Sequence, residues 1–159
     1  MLIDAAALAS MGGGIALAGG LAGSSIGIAV SGAAGAATLG QDSRQLRNVI
    51  ILAALPMSRA FYAFIFLILV TTTSIPAISA MTDVAGAGFA VLGIGIMAAL
   101  AFGVSGAYQG AVCAAGIAGL SKTGGRLLTN AIMLAVFVEL LAVLGLVFAI
   151  MALSILGLM

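Results

Sequence analysis

This sequence has few charged residues, no histidine, no tryptophan and a single cysteine. Charged residues make up 6% of the 159 positions, whereas a soluble domain has about 25%, so most of the surface must face hydrocarbon instead of water. With no histidine and only Cys113, the chain offers neither a zinc-ligand set nor an internal disulfide. A net charge of +1 gives no electrostatic basis for binding nucleic acid.

Motifs of catalytic and nucleotide-binding proteins are also missing from the sequence. There is no Walker-type phosphate loop, and without histidine there is no Ser-His-Asp or Cys-His combination. We therefore expect a non-catalytic subunit without a cofactor, whose energy comes from another subunit or from an ion gradient. No basic region precedes the first apolar stretch, so we expect no cleavable signal peptide.

Hydrophobic residues dominate what remains, at 64% of the chain. They form four apolar stretches, roughly 5–39, 49–78, 85–120 and 128–157. Each is longer than the about 20 residues that a helix needs to cross the hydrocarbon core. Because backbone polar groups in lipid must be satisfied within the segment, each stretch is predicted to be helical. The pattern indicates an all-α membrane protein with four transmembrane helices in two tandem hairpins.

The two halves of the sequence resemble each other. Residues 33–39 match residues 114–120 in their small-residue pattern, and the register then slips by one residue. After that slip, Arg44 aligns with Arg126, Asn48 with Asn130, Ile50 with Ile132, and Phe66 with Phe148. This predicts a parallel repeat, with residues 1–82 as the first hairpin and 83–159 as the second. The alternative is that two Gly/Ala-rich helices look alike through composition alone.

Charged residues at the helix ends predict the orientation in the membrane. Two basic residues lie between the helices of each hairpin, Arg44 and Arg47 in the first and Lys122 and Arg126 in the second. The opposite end has Asp4 and Asp83 and no basic residue. By the positive-inside rule, both hairpin loops are expected in the cytoplasm and both termini outside, in a multi-pass protein of the cell membrane.

Small residues form stripes on the first and third helices. In the first helix Gly19, Gly23 and Gly27 recur every four residues. The corresponding stripe of the third helix is Gly103, Ala107, Ala111, Ala115 and Gly119. Such stripes let helices approach closely in a membrane, whereas the second and fourth helices are bulky, as expected beside lipid. We infer a small-residue inner layer and oligomeric packing; a compact four-helix bundle is the alternative.

Glu139 lies in the apolar fourth helix and is the one carboxylate well inside a predicted membrane segment. An ionised carboxylate there costs several kcal/mol or more, and desolvation favours the neutral acid. A site neutralised by H⁺ or Na⁺ would explain its presence, and so would a static ion pair with Arg59 of the second helix. We favour the ion-binding interpretation. In the repeat register Met57 aligns with Glu139, so the first hairpin lacks the carboxylate.

Other polar residues also interrupt the apolar helices. Pro56 lacks an amide donor and frees a carbonyl one turn earlier, which can be an oxygen ligand or accompany a simple kink. Gln109, beside Tyr108, can bind Glu139 or an ion, or can form an interhelical structural bond. Ser58 and Tyr62 add hydroxyls beside Arg59, although a serine often bonds its own helix instead.

Longer motifs identify a family. The residues that carry the resemblance are Leu-Pro-Met-Ser-Arg-Ala-Phe-Tyr-Ala-Phe at 55–64, Ser-Gly-Ala-Tyr-Gln-Gly at 105–110 with Ala-Ala-Gly at 114–116, and Val138-Glu139. Over nearly its whole length the chain resembles the duplicated proteolipid of V-type rotary ATPases, subunit K of the bacterial enzymes. The resemblance implies a ring of identical copies in the lipid bilayer, with Gly-rich helices inside and Glu-bearing helices outside.

The same resemblance implies an ion site and partners. The site would consist of the Leu55 carbonyl, Ser58, Gln109 and Glu139, with Tyr62 supporting the carboxylate, and would carry H⁺ or Na⁺. Sodium-coupled members of the family have Gln where this chain has Arg59, and a fixed cation disfavours Na⁺ unless it turns away. We therefore prefer protons. The implied partners are a static membrane subunit with ion half-channels and a central-stalk subunit on the cytoplasmic loops.

Two other functions fit the same residues. A small secondary transporter could use Glu139 and Arg59 to bind a substrate or to exchange protons. A purely structural membrane scaffold would bind no ion, and Glu139→Gln would then leave transport unchanged.

Overall fold

The computed structural model describes residues 4–81 and 84–159. Four helices in these ranges are long and apolar enough to cross a membrane. They are the first helix, Ala5–Gln41, the second, Ser43–Ser79, the third, Val84–Ala118, and the fourth, Leu128–Ile155. No strand occurs in the described ranges. The prediction of an all-α membrane protein with four spanning helices is confirmed.

The second helix is a succession of helical segments. Its parts are a 3₁₀ turn at Ser43–Gln45, α-helix at Leu46–Ala54, a 3₁₀ turn at Leu55–Met57, α-helix at Ser58–Leu69, a π-helical turn at Val70–Ser74 and α-helix at Ile75–Ser79. The α-helix stops before Pro56 because this residue has no N–H to donate and its ring crowds the preceding turn. The interruption lies midway along the helix, and Ser58 and Tyr62 of the predicted site follow it directly.

The turn of the first hairpin is shorter than the sequence predicts. The first helix ends at Gln41 and the second begins at Ser43, so Arg44 lies in a helical turn instead of a loop. The Asp42 carboxylate accepts hydrogen bonds from the Arg44 backbone N–H and Nε and from Gln45 Nε2. The Arg44 guanidinium, and then the Gln45 amide, lower the pKa of Asp42 to about 2. Arg47 likewise lies inside the α-helix Leu46–Ala54.

The second hairpin turns through a short helix, Leu120–Thr123, and two glycines. Gly124 and Gly125 have φ of 58° and 86°, the left-handed region that residues with a Cβ rarely adopt. Both turns lie at the same end of the molecule, since the Ser121 hydroxyl donates to Gln41 Oε1 at 3.0 Å. The predicted side of the membrane stays a prediction, and Asp83, on which it partly rests, lies outside the described residues.

The first and third helices pack backbone against backbone and form the inner layer. A Cβ added to Gly12 would lie 2.7 Å from the Val91 carbonyl oxygen, and one added to Gly23 would lie 2.7 Å from Gly103 Cα. Distances this short leave no room for any side chain. The close approach therefore depends on glycine, as the stripe in the first helix predicts.

The contact row of the third helix differs from the predicted stripe. The glycines that touch the first helix are Gly88, Gly95, Gly103, Gly106 and Gly110. Ala111 and Ala115 of the predicted stripe are exposed instead. A strict four-residue spacing winds slowly around a helix of 3.6 residues per turn, whereas alternating three- and four-residue steps stay on one face. Beyond Gly103 the predicted stripe therefore lies off the face that contacts the first helix, and its role in packing between copies stays a prediction.

The second and fourth helices form the outer layer. The second packs on the first and the third, and the fourth packs mainly on the third. The fourth helix buries one narrow row, consisting of Ala131, Ala135, Ala142, Ala149 and Leu153. Many of its large side chains are exposed, Phe137 at 67% and Phe148 at 66% among them. Such a surface suits lipid and agrees with the predicted contrast between small-residue and bulky helices, whereas their inner and outer places in a ring stay a prediction.

Candidate functional site

Glu139 lies where the second, third and fourth helices meet. Its side chain is 21% exposed and opens into a groove of about 390 Å³ between the second and fourth helices. Leu55, Ser58 and Gln109 line this groove, as does Met57, the residue aligned with Glu139 in the repeat, which is 46% exposed. The carboxylate is thus reachable from the lipid-facing side of the chain.

Four side chains donate hydrogen bonds to this carboxylate or lie within hydrogen-bond distance of it. The Tyr62 hydroxyl donates to Oε1 at 2.6 Å. On Oε2, Gln109 Nε2 lies at 2.9 Å and the Ser58 hydroxyl at 3.2 Å, and Arg59 Nη1 completes an ion pair. Donors of this kind stabilise the ionised carboxylate within the apolar surroundings. The structure therefore gathers Ser58, Tyr62 and Gln109 around Glu139.

Leu55, the fifth residue of the predicted site, reaches the carboxylate only indirectly. Its carbonyl accepts from the Ser58 backbone N–H, and the Ser58 hydroxyl lies 3.1 Å away. That hydroxyl is within hydrogen-bond distance of both the Leu55 carbonyl and Glu139. The structure therefore has both contacts considered for Ser58, the bond to its own helix and the contact with the site. The role of the Leu55 carbonyl as an ion ligand stays a prediction.

Arg59 is completely buried, although it carries a permanent charge. Its Nε donates to the Ser105 hydroxyl at 3.2 Å, and its Nη1 lies 2.7 Å from the Ser58 hydroxyl as well as on Glu139. The guanidinium does not turn away from the carboxylate. The contact is the ion pair between Arg59 and Glu139 that the sequence analysis considered as the alternative to ion binding. A buried charge of this kind needs a counter-charge or several hydrogen-bond acceptors, since an isolated one would be strongly destabilising.

Gln109 joins the third helix to the fourth in two ways. Its Nε2 donates both to Glu139 and to the Ala135 carbonyl, at 3.1 Å. The interhelical bond and the carboxylate contact proposed as alternatives therefore coexist. Within the described part of the chain, Gln109 Oε1 and Arg59 Nη2 are buried without a hydrogen-bond partner. Tyr108, next in sequence, is 68% exposed and lies outside the site.

Two serines, on the first and third helices, support the site, and neither was predicted as part of it, although Ser105 begins one of the family motifs. Ser105 of the third helix accepts from Arg59, and Ser24 of the first helix binds the backbone of the second helix beside Pro56. The two are separated by 81 residues, the offset at which the inner helices repeat. A buried hydroxyl at the same place in both halves is the signal that could have identified them.

Comparison with known proteins gives one family. The family model of the ATP synthase C subunit matches the chain twice, over residues 11–70 and over residues 92–152. The two matches begin 81 residues apart and end 82 residues apart, which are the offsets of the sequence repeat before and after its one-residue slip. No curated protein matches the chain.

Proposed function

We propose that this chain, which belongs to the ATP synthase C-subunit family and is a non-catalytic rotor-ring proteolipid of a rotary ATPase, is the V-type form, subunit K of the bacterial enzymes. We further propose that it carries H⁺ on Glu139. Membership in this family argues against the small secondary transporter and the passive scaffold. The V-type assignment is supported by the duplication, in which two hairpins share one membrane carboxylate.

The observation that carries the proposal is a complete site within one chain. The second helix supplies Ser58, Arg59 and Tyr62, the third supplies Gln109, and the fourth supplies Glu139. The carboxylate lies beside a lipid-facing groove, where an exposed charge would be costly. Taking up a proton removes the charge of Glu139 and lets the fourth helix pass lipid.

Arg59 gives the reason for preferring protons to sodium. Its guanidinium lies against the same Glu139 oxygen and Ser58 hydroxyl that would have to coordinate Na⁺. A second cation at this point would meet repulsion from the first at short range. A proton needs no ring of oxygen ligands, because it binds covalently to one carboxylate oxygen. After protonation, the hydroxyls of Ser58 and Ser105 still accept hydrogen bonds from Arg59.

The remaining parts of the mechanism involve partners. Identical copies form the ring, and a static membrane subunit supplies half-channels through which protons reach and leave Glu139. A cationic group of that subunit would favour the ionised carboxylate at the exit. The end of the molecule with both hairpin turns carries Arg44, Arg47, Lys122 and Arg126, and we propose that it faces the cytoplasm and contacts the central stalk.

Carbodiimide labelling of the assembled complex tests this function. The reagent modifies a protonated carboxyl, so labelling of Glu139 should increase as the pH falls and should be unaffected by Na⁺ at constant ionic strength. Arg59→Gln removes the resident cation but keeps hydrogen-bonding capacity, and we expect labelling of this variant to become sensitive to Na⁺. Arg47→Gln changes a basic residue at the beginning of the α-helix Leu46–Ala54, and labelling of Glu139 in this variant should match that of the unaltered chain. Protection of the unaltered chain by Na⁺ would overturn the preference for protons.

A further inference from the structure

The second helix is interrupted at a point where the first helix completes its hydrogen bonding. In an unbroken α-helix the Ala60 N–H would donate to the Pro56 carbonyl. Here the α-helix ends at Ala54 and resumes at Ser58. The Ser24 hydroxyl accepts from the Ala60 N–H at 3.1 Å and donates to the Pro56 carbonyl at 2.8 Å. One hydroxyl of the first helix therefore replaces a backbone hydrogen bond of the second.

Neighbouring residues of the first helix fit the same interruption. Ser31, two turns beyond Ser24, lies 3.4 Å from the Ala53 carbonyl. Between the two serines, a Cβ added to Gly27 would lie 2.6 Å from Pro56 Cβ, so the proline ring lies directly against the backbone of the first helix. Ser24 itself is 4% exposed. The face of the first helix is thus shaped to hold the second helix in its broken form.

The resumed segment of the second helix carries the donors of the ion site. Ser58 and Arg59 lie between the two backbone groups that Ser24 binds, and Tyr62 follows half a turn after Ala60. If the Ala60 N–H instead donated to the Pro56 carbonyl, the direction of the segment would change and these side chains would move relative to Glu139. We infer that Ser24 is a positioning residue of the ion site, which keeps the second helix open so that Ser58 and Arg59 meet Glu139.

The other hairpin provides an internal comparison for this inference. Ser105, the equivalent of Ser24, faces the same part of the second helix and accepts from Arg59 Nε. The fourth helix has Val138 where the second has Pro56, and it is α-helical from Leu128 to Ile155. The serine of the first helix therefore contacts an open backbone, and that of the third contacts a side chain of the same segment.

The effect of Ser24 on the site must pass through the second helix. Its hydrogen bonds go to backbone groups of that helix. The charged and titratable groups near Glu139 come from other positions: Arg59 and Tyr62 on the second helix, and Cys113, buried on the third. In the described part of the first hairpin before the turn, the one charged residue is Asp4, at the beginning of the first helix. A change at Ser24 thus alters no charge at the site.

Labelling of Glu139 by carbodiimide in the assembled complex tests the inference, which rests on the proposed role of Glu139. Ser24→Ala lets the Ala60 N–H bond the Pro56 carbonyl and should loosen the Arg59 contact, so that labelling at neutral pH becomes about tenfold faster. Ser24→Thr keeps the hydroxyl and should restore the original rate. Ser25→Ala is the matched control, because Ser25 is exposed and donates to the Leu21 carbonyl of its own helix at 2.8 Å.

The outcomes separate this inference from the function beneath it. If labelling of the unaltered chain does not respond to pH, the proposed function fails. If it responds and Ser24→Ala leaves the rate unchanged, or Ser24→Thr changes it as much as Ser24→Ala does, the positioning role alone is overturned. Should Ser24→Ala not assemble, Ser24→Cys fills the same space with a weaker hydrogen-bonding group and should show the same acceleration. Failure of both to assemble would assign Ser24 to folding and would also overturn the inference.

Discussion

The second and fourth helices occupy equivalent places in the two hairpins, but one is interrupted and the other carries the carboxylate. The second helix stops and restarts around Pro56, whereas the fourth continues through the equivalent Val138. Most donors of the site lie on the interrupted helix, and the acceptor, Glu139, lies on the continuous one. Duplication has let two copies of one hairpin specialise, so that one positions these donors and the other carries the carboxylate.

The locus equivalent to the site shows how complete this division is. In the repeat register, Glu139, Gln109, Ser58, Arg59 and Tyr62 correspond to Met57, Ile28, Leu140, Leu141 and Leu144. Each polar member of the site has an apolar counterpart, and all five counterparts are exposed on the single chain. A partly satisfied polar cluster is costly in an apolar medium. The equivalent place in the repeat therefore has none of the five polar side chains of the cluster.

The largest expected effect distinguishes Glu139 from Met57, the equivalent residue of the first hairpin. Glu139→Gln should lower ion translocation in reconstituted vesicles by at least about 100-fold, since an amide cannot take up and release a proton. Met57→Gln changes the equivalent position and should leave translocation intact. Ring assembly, measured by the mass of the detergent-solubilised particle, should be retained in both. Equal losses of transport would contradict the assignment of the ion to one hairpin.

Proline substitutions at equivalent positions test why the second helix is interrupted and the fourth is continuous. Val138→Pro should cost about 3 kcal/mol, because it removes a backbone hydrogen bond and crowds the preceding turn. No equivalent of the Ser24 contact is free there, since Ser105 already accepts from Arg59. Pro56→Ala should change stability by less than about 1 kcal/mol. Denaturant unfolding in detergent measures both, and a well-tolerated Val138→Pro would mean that either helix can be opened.

A smaller change makes the site more like its apolar counterpart, where Leu144 replaces Tyr62. Tyr62→Phe removes the hydroxyl that donates to Glu139 at 2.6 Å. A hydrogen bond to a charged group contributes about 1.5–3 kcal/mol, so carbodiimide labelling should accelerate about tenfold or more. Tyr108→Phe removes a hydroxyl from an exposed side chain of the third helix and serves as the control. Similar rates in the two variants would exclude a role for Tyr62 in stabilising the carboxylate.

The smallest effect concerns the two hairpin turns, where Asp42 of the first corresponds to Gly124 of the second. The Asp42 pKa is lowered from 3.8 to about 2, so its stabilising effect is present above 3.8 and is lost as the pH falls through about 2. Asp42→Asn should remove this acid-dependent part of the stability. Thermal unfolding in detergent between these pH values measures it, and a variant that keeps the full acid dependence would contradict the assignment.

Much of the fold could be predicted from the sequence because the bilayer limits the choices. A long apolar stretch in lipid must be helical, and basic residues mark the turns. Glu139 was identifiable because a lone carboxylate in such a stretch has a high cost. Tyr62 and Gln109 were identifiable through the motifs around them, and the structure places both on that carboxylate.

Other features depend on three-dimensional contacts that no local pattern reveals. The position of Arg59 follows from the interruption of the second helix just before it and from the hydroxyl of Ser105 on another helix. Ser24 looks like any serine in a Gly-rich helix until the open backbone opposite it is seen. The glycine row of the third helix depends on the face turned to the first helix, which spacing every four residues does not define.

One acidic group for every four spanning helices has a consequence for the machine as a whole. A ring of given circumference built from this chain has half as many ion stations as a ring in which each hairpin bears its own acid. The same work per revolution is then divided among fewer ions. Each ion can therefore be moved against a larger electrochemical potential difference. A rotor with one acid for each pair of hairpins would therefore move fewer ions per revolution, each against a larger electrochemical gradient.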